Sequence, residues 1–227
     1  FHAGLYYNEQ TNEYAVAFRG TEKSIADFYA DVTQGGGHVP EQYKMAIEIG
    51  DIIRRIKEQN PDIVINITGH SLGGGLATVA GKVSGCQTIV FNPAGLHPNT
   101  VEYAKQKEAY VYKDFNIKVI STHDDPLTNV QEGKGRFKVG SFDVDARVIH
   151  LGVKALAYVG AYKETKNYQK ALDYAAKALP EATGNKRYIS TEKGHSIEPM
   201  AGYYIRRVEV ANIREEGLGN VHIFVKD

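Results

Sequence analysis

Gly69-His70-Ser71-Leu72-Gly73 sits where an apolar, β-branched run, Asp62 to Thr68, gives way to Gly69–Gly75 and then to the small-residue stretch Leu76 to Val83. A short run of that kind reads as a strand buried in a parallel sheet, and the stretch after it reads as a helix. A serine flanked by glycines at such a junction occupies a tight turn, where side chains on either side would collide with the neighbouring strand and helix. Its hydroxyl then projects above the sheet, over a helix N-terminus that favours developing negative charge. The string alone is weak, arising by chance in roughly one chain in ten of this composition. Its position at a strand–helix junction is what constrains the fold.

The rest of the chain alternates strands and helices around this turn. Ala3 to Tyr7 and Glu13 to Phe18 are β-rich runs about the turn-forming Asn8 to Asn12, a predicted hairpin. A helix is expected from about Ser24, broken by Gly35, Gly36 and Gly37. Met45, Ile49, Ile52, Ile53 and Ile56 form one stripe of a 3.6-residue period, and Asn60-Pro61 ends that helix. Gln87 to Phe91 and Ile117 to Ser121 read as further buried strands. Phe142, Val144, Ala146 and Val148 alternate with Asp143, Asp145 and Arg147, predicting a half-exposed strand. Tyr168 to Leu179 reads as a helix and Val221 to Val225 as a terminal strand. Strand, helix, strand at these spacings gives an α/β fold with a mostly parallel sheet and helices on its faces. No linker divides residues 1–227, so one domain is expected.

Composition excludes several classes. The 227 residues carry 27 basic and 27 acidic side chains with no polybasic block, which argues against a nucleic-acid partner. Cys86, the single cysteine, cannot form an intrachain disulfide and reads as a small buried hydrophobe opening a core strand. No apolar run approaches the roughly 20 residues of a spanning helix. The chain opens at Phe1 without a charged or apolar leader, as a processed chain or a domain of a longer one would.

A serine hydroxyl is a weak nucleophile and needs a base and an orienting acid. In this strand–turn–helix setting the chain order is serine, acid, histidine. Asp124 and Asp125 both follow the strand ending near Ser121, where the carboxyl-end loops of an open sheet build sites. Asp125 is favoured because Pro126 stiffens its loop, with Asp124 as the substitute. His150, His195 and His222 remain for the base. His222 alternates within Val221–Val225, and His150 ends an apolar run. His195 follows the polar loop Thr191-Glu192-Lys193-Gly194, a loop-mounted position suited to reaching over the sheet. An oxyanion hole would take one N–H from Leu72 and a second from Thr21, which ends the strand Phe18-Arg19-Gly20.

Together these segments resemble the class 3 lipase family of α/β-hydrolases, from roughly Tyr14 to Tyr204. Phe18-Arg19-Gly20-Thr21 is similar to that family's oxyanion strand-end, with Ile25, Asp27 and Asp31 similar to the helix after it. Thr68 to Gly74 is similar to its elbow, Asp125-Pro126-Leu127-Thr128 to its acid loop, and His195-Ser196-Ile197-Glu198 to its histidine segment. Phe91-Asn92-Pro93-Ala94-Gly95-Leu96 and the lack of disulfides depart from the fungal members. They look more like bacterial ones, including phospholipase domains of secreted antibacterial effectors and polymorphic toxins.

The resemblance implies a carboxylic ester hydrolase acting on lipids, of phospholipase A or acylglycerol lipase type. Its catalytic groups would be Ser71, Asp125 and His195, with Thr21 and Leu72 at the oxyanion. It implies no cofactor and no metal, a lipid or phospholipid substrate met at a membrane surface, and an immunity protein as partner if the chain is a toxin. A small-ester esterase or thioesterase, and a silent binding module of the same fold, are the competing readings. Gly35–Gly37 lacks the pattern of a phosphate loop and reads as a hinge or flexible loop. His123-Asp124-Asp125 is too compact in sequence to converge on one ion. Leu151 to Tyr162 is expected to be a core helix, with an apolar lip that meets lipid as the second reading.

Overall fold

The computed structural model describes residues 1–20, 39–106, 116–139 and 141–190. Eight strands are described: β1 (Ala3–Asn8), β2 (Glu13–Phe18), β3 (Val64–His70), β4 (Gln87–Phe91), β5 (Ile117–Thr122), β6 (Arg136–Val139), β7 (Phe142–Asp145) and β8 (Asn185–Ile189). The described helices are α1 (Glu41–Gln59), α2 (Leu72–Ser84), α3 (Pro98–Gln106), α4 (Pro126–Glu132), α5 (Ala146–Thr165) and α6 (Tyr168–Lys177). Six strands form one sheet in the order β1-β2-β3-β4-β5-β8, and β6 pairs with β7 as a separate hairpin. Only the β1–β2 pair of the large sheet is antiparallel. Parallel neighbours require crossovers, and α1, α2 and α3 lie on those connections. The α/β architecture expected from the sequence is the one observed.

The core lies between α1–α3 and one face of the sheet. Val16, Phe18, Ile65, Ile67, Val90 and Val119 present that face. Helix α2 is buried from Gly73 to Ser84, and Cys86 is fully buried behind it. The opposite face gathers Ile89, Phe91, Ile120 and Ile189. A smaller cluster of Ala94, Leu127, Val130, Ala146, Val153 and Leu179 seats α4 and α5 beyond the ends of β4 and β5.

Three expectations need correction. Helix α1 ends at Asn60 as predicted, but its isoleucine stripe meets the core only at Ile49 and Ile53. Met45, Ile52 and Ile56 are exposed, while Tyr43, Ala46, Ile47, Gly50 and Ile53 are buried. The close approach of α1 to α2 selects small residues: a Cβ on Gly50 would lie 2.8 Å from the Ala80 carbonyl oxygen. The strand expected through Val148 stops at Asp145, whose side chain accepts the Arg147 N–H at 2.9 Å and caps α5. His150 therefore sits inside a helix. Leu151 to Tyr162 is helical and meets the core only along one side: Val153 and Ala157 are buried, while Leu151 and Leu156 are each 66% exposed. The segments about Ser24, Gly35–Gly37 and Val221–Val225 lie outside the described residues, as do Thr21, His195 and His222.

Candidate active site

Strand β3 delivers its chain to a turn with no room for side chains. A Cβ on Gly69 would lie 2.2 Å from the Gly73 carbonyl oxygen, and one on Gly73 would lie 2.2 Å from that of Phe18. Between them Ser71 adopts φ 56 and ψ −125, a conformation that costs a non-glycine residue about 1–3 kcal/mol. The turn is held by its own backbone. The Ser71 N–H donates to the Phe91 carbonyl at 3.1 Å, and the Ser71 carbonyl accepts from Gly74 and Ala94 at 3.0 and 2.9 Å. Leu72 opens α2, so its N–H belongs to the first turn, where donors have no intrahelical acceptor and the helix dipole is positive. The Gly20 end of β2 abuts this turn: a Cβ there would lie 3.7 Å from Cβ of Ser71 and 3.8 Å from the Gly73 nitrogen. Gly20 is the last described residue before Thr21.

Asp125 lies at the same edge of the sheet, just past the end of β5. It is fully buried and caps α4, its Oδ2 accepting the Thr128 N–H at 2.7 Å with Pro126 in the first turn. A carboxylate has about four lone-pair sites, so capping a helix and orienting an imidazole are compatible. Asp124 is only half-buried. Strands β3 and β5 flank β4, so the turn at Ser71 and the Asp125 loop stand about 10 Å apart. His150, the alternative base, donates its Nδ1–H to the Val130 carbonyl (2.7 Å), an interaction that seats α5 on α4.

Two supporting devices escaped the sequence reading. Asn92 is fully buried at φ 39, and its Oδ1 accepts the Thr122 N–H at 2.9 Å. Its own N–H donates to the Ile120 carbonyl, so the loop after β4 is tied to both the elbow and the acid strand. The signal available was an Asn-Pro pair after a buried strand, since asparagine tolerates positive φ. The second device is Glu132, at the end of α4. It accepts from the Tyr188 hydroxyl and from Lys186 Nζ (3.0 Å), and pairs with Lys134 Nζ at 2.6 Å. Burial pushes its carboxyl up, but the hydrogen bonds from Lys134, Tyr188 and Lys186 outweigh it and hold it below the usual range. Burial and the Glu132 carboxylate push the Tyr188 phenol up. These contacts lock β8 to the acid loop, as does the His123 N–H donating to the Ile189 carbonyl at 3.1 Å.

The model of the Tle-like phospholipase domain, a phospholipase-like family, matches residues 1–193. The chain belongs to that family. Its match ends two residues short of His195 and includes the elbow, the acid loop and all of the described sheet. This phospholipase-like domain is also 34% identical over 135 residues to an extracellular phospholipase A1 of Serratia liquefaciens, a stretch covering 58% of this chain and 40% of that protein. The chain thus spans less than half the length of that relative. By family the domain is a lipid carboxylic ester hydrolase of bacterial effector-like kind. Among the described residues no group of three or more histidine, cysteine, aspartate or glutamate side chains is arranged to hold a metal ion. No described helix is long and apolar enough to cross a membrane.

Proposed function

We propose that this domain is a phospholipase of A type that cleaves an acyl ester of a glycerophospholipid through a Ser71–His195–Asp125 triad. The observation that carries the reading is the strained Ser71, raised over the N-terminus of α2 between two glycines that admit no Cβ. Ser71 Oγ attacks the ester carbonyl carbon while His195 takes its proton, and Asp125 holds the resulting imidazolium. The N–H groups of Leu72 and Thr21 receive the oxyanion, each worth about 3–4 kcal/mol. Collapse breaks the bond to the alkoxide, which leaves as the lysolipid with the proton from His195. Water, deprotonated by the same imidazole, then attacks the acyl-enzyme and releases the fatty acid.

Reach is compatible with this assignment. His195 lies six residues past the end of β8, a length that spans at most about 20 Å. From β8 to β3 is three strand spacings, about 14 Å. The Serratia relative's description as a phospholipase A1 supports the sn-1 position. The test is fatty-acid release from phosphatidylcholine, phosphatidylglycerol and triglyceride dispersions, with positionally labelled acyl chains. Wild type should release the sn-1 chain of a phospholipid, and Ser71→Ala should lose on the order of 10⁶ in kcat. Cleavage of a short-chain soluble ester with no release from any dispersion would move the assignment to a small-ester esterase.

A further inference from the structure

Helix α5 presents its apolar residues outward. Only Ala146, Val153 and Ala157 are buried on it. At 100° per residue, Val148, Ala155, Val159 and Tyr162 fall on the opposite side, flanked by Leu151 and Leu156. Val148, Leu151 and Leu156 are each 66% exposed, and Val159 and Tyr162 are 47% and 42%. Helix α6 continues the surface with exposed Tyr168 and Leu172. Tyr158 stacks on Tyr162 and meets Tyr168 of α6 edge-on. A contiguous apolar surface of this kind marks an interaction site.

Charge selects the occupant. Residues 146–177 contain six basic side chains and two acidic ones. A neutral chain therefore holds a surplus of four positive charges on this helix pair, and an equal negative surplus elsewhere. Lys163, Lys166 and Lys170 surround the turn joining the helices and are exposed, and no ion pair among the described residues engages them. An apolar helix face bordered by lysines and tyrosines has the chemistry of a helix lying in the headgroup plane of an anionic bilayer.

We propose that α5 and α6 dock this protein on anionic lipid surfaces, with α5 inserting its Leu151–Leu156 face and the lysines meeting lipid phosphates. The proposal rests on the phospholipase reading for its biological sense, because docking there brings bilayer lipid to the domain that holds Ser71. Its test does not need hydrolysis. Ser71→Ala protein is sedimented with phosphatidylcholine vesicles, with and without phosphatidylglycerol, while fatty-acid release by the wild type is measured separately. Binding should require phosphatidylglycerol. Leu151→Ser/Leu156→Ser should weaken it roughly tenfold per leucine, and Lys163→Gln/Lys166→Gln/Lys170→Gln roughly fivefold per lysine. Both variants change exposed residues, and circular dichroism and thermal melts verify their folding. Soluble-ester hydrolysis by the same variants in the Ser71 background should be unchanged. Vesicle binding that survives both variants, or that ignores phosphatidylglycerol, overturns the proposal. So does a protein that ignores vesicles but forms a dimer dissolved by Leu151→Ser/Leu156→Ser, which would make a second copy the occupant.

Discussion

Gly73→Ala is the substitution on which the steric account of the site can be judged most sharply. The added Cβ would stand 2.2 Å from the Phe18 carbonyl oxygen and 2.8 Å from the Gly20 nitrogen. Ordinary contact begins near 3.4 Å, so the elbow and the end of β2 must part by about 1 Å. Overpacking of this size costs about 1–3 kcal/mol, partly offset by the 0.5–1 kcal/mol that alanine gains over glycine in a helix, both figures approximate. In a protein of this size each kcal/mol moves Tm by about 2–4 °C. Under the proposed mechanism the same shift disturbs the oxyanion donors, so kcat should fall by about 10²–10³, the loss of one donor. The internal comparator is Gly152→Ala on α5, where a Cβ meets nothing within 4 Å; it should raise stability by about 0.5–1 kcal/mol. Thermal unfolding and fatty-acid release on both variants read the two effects. A Gly73→Ala protein as stable and active as wild type would refute the close approach, and one that is destabilised but fully active would break its link to the oxyanion site.

Three further outcomes follow from the same geometry. Asn92→Ala leaves the buried Thr122 N–H without its acceptor and should cost about 1–3 kcal/mol by urea unfolding; a loss under about 0.5 kcal/mol would remove Asn92 from the framework of the site. Glu132→Gln should cost on the order of 2 kcal/mol because Lys186 and Tyr188 lose a buried carboxylate, whereas Glu41→Gln, which breaks an exposed pair with Lys44, should stay within about 0.5 kcal/mol. His97 is held below its ordinary pKa by burial and by Lys177, and its Nδ1 accepts the Asn99 N–H at 3.1 Å. The unfolded chain then binds more protons, so stability should fall as pH drops through the ordinary histidine range. His97→Gln should flatten that slope between about pH 7.5 and pH 5.5; an unchanged slope would assign it to another group.

The sequence disclosed most where local sterics decide. Gly69 and Gly73 are demanded by contacts within a few residues of Ser71 and with one neighbouring strand, so the turn was legible from its string and its flanks. At Asp125 the local signal is Pro126, and the structure adds that the residue is buried and caps α4. Asn92 and Glu132 work through partners 30 or more residues away, Thr122, Lys186 and Tyr188, and leave no local signature beyond the Asn-Pro pair. The isoleucine stripe of α1 marks its core face only in part, because Ile49 and Ile53 meet the core while the close contact with α2 is made at Gly50, which no hydrophobic pattern highlights. Alternation from Phe142 to Val148 concealed the cap at Asp145, where strand turns to helix. Helix α5 meets the core through Ala146, Val153 and Ala157 alone, and hydrophobicity by itself does not separate that buried side from the exposed apolar one.

The central claim is that Ser71 is the activated nucleophile, and the most direct measurement is the site of attack by a fluorophosphonate. Intact mass and peptide mapping should find one adduct, on the peptide carrying Ser71, lost in Ser71→Ala and strongly slowed in His195→Ala and Asp125→Ala. An adduct on another residue, or labelling that proceeds equally in Ser71→Ala, would contradict the account.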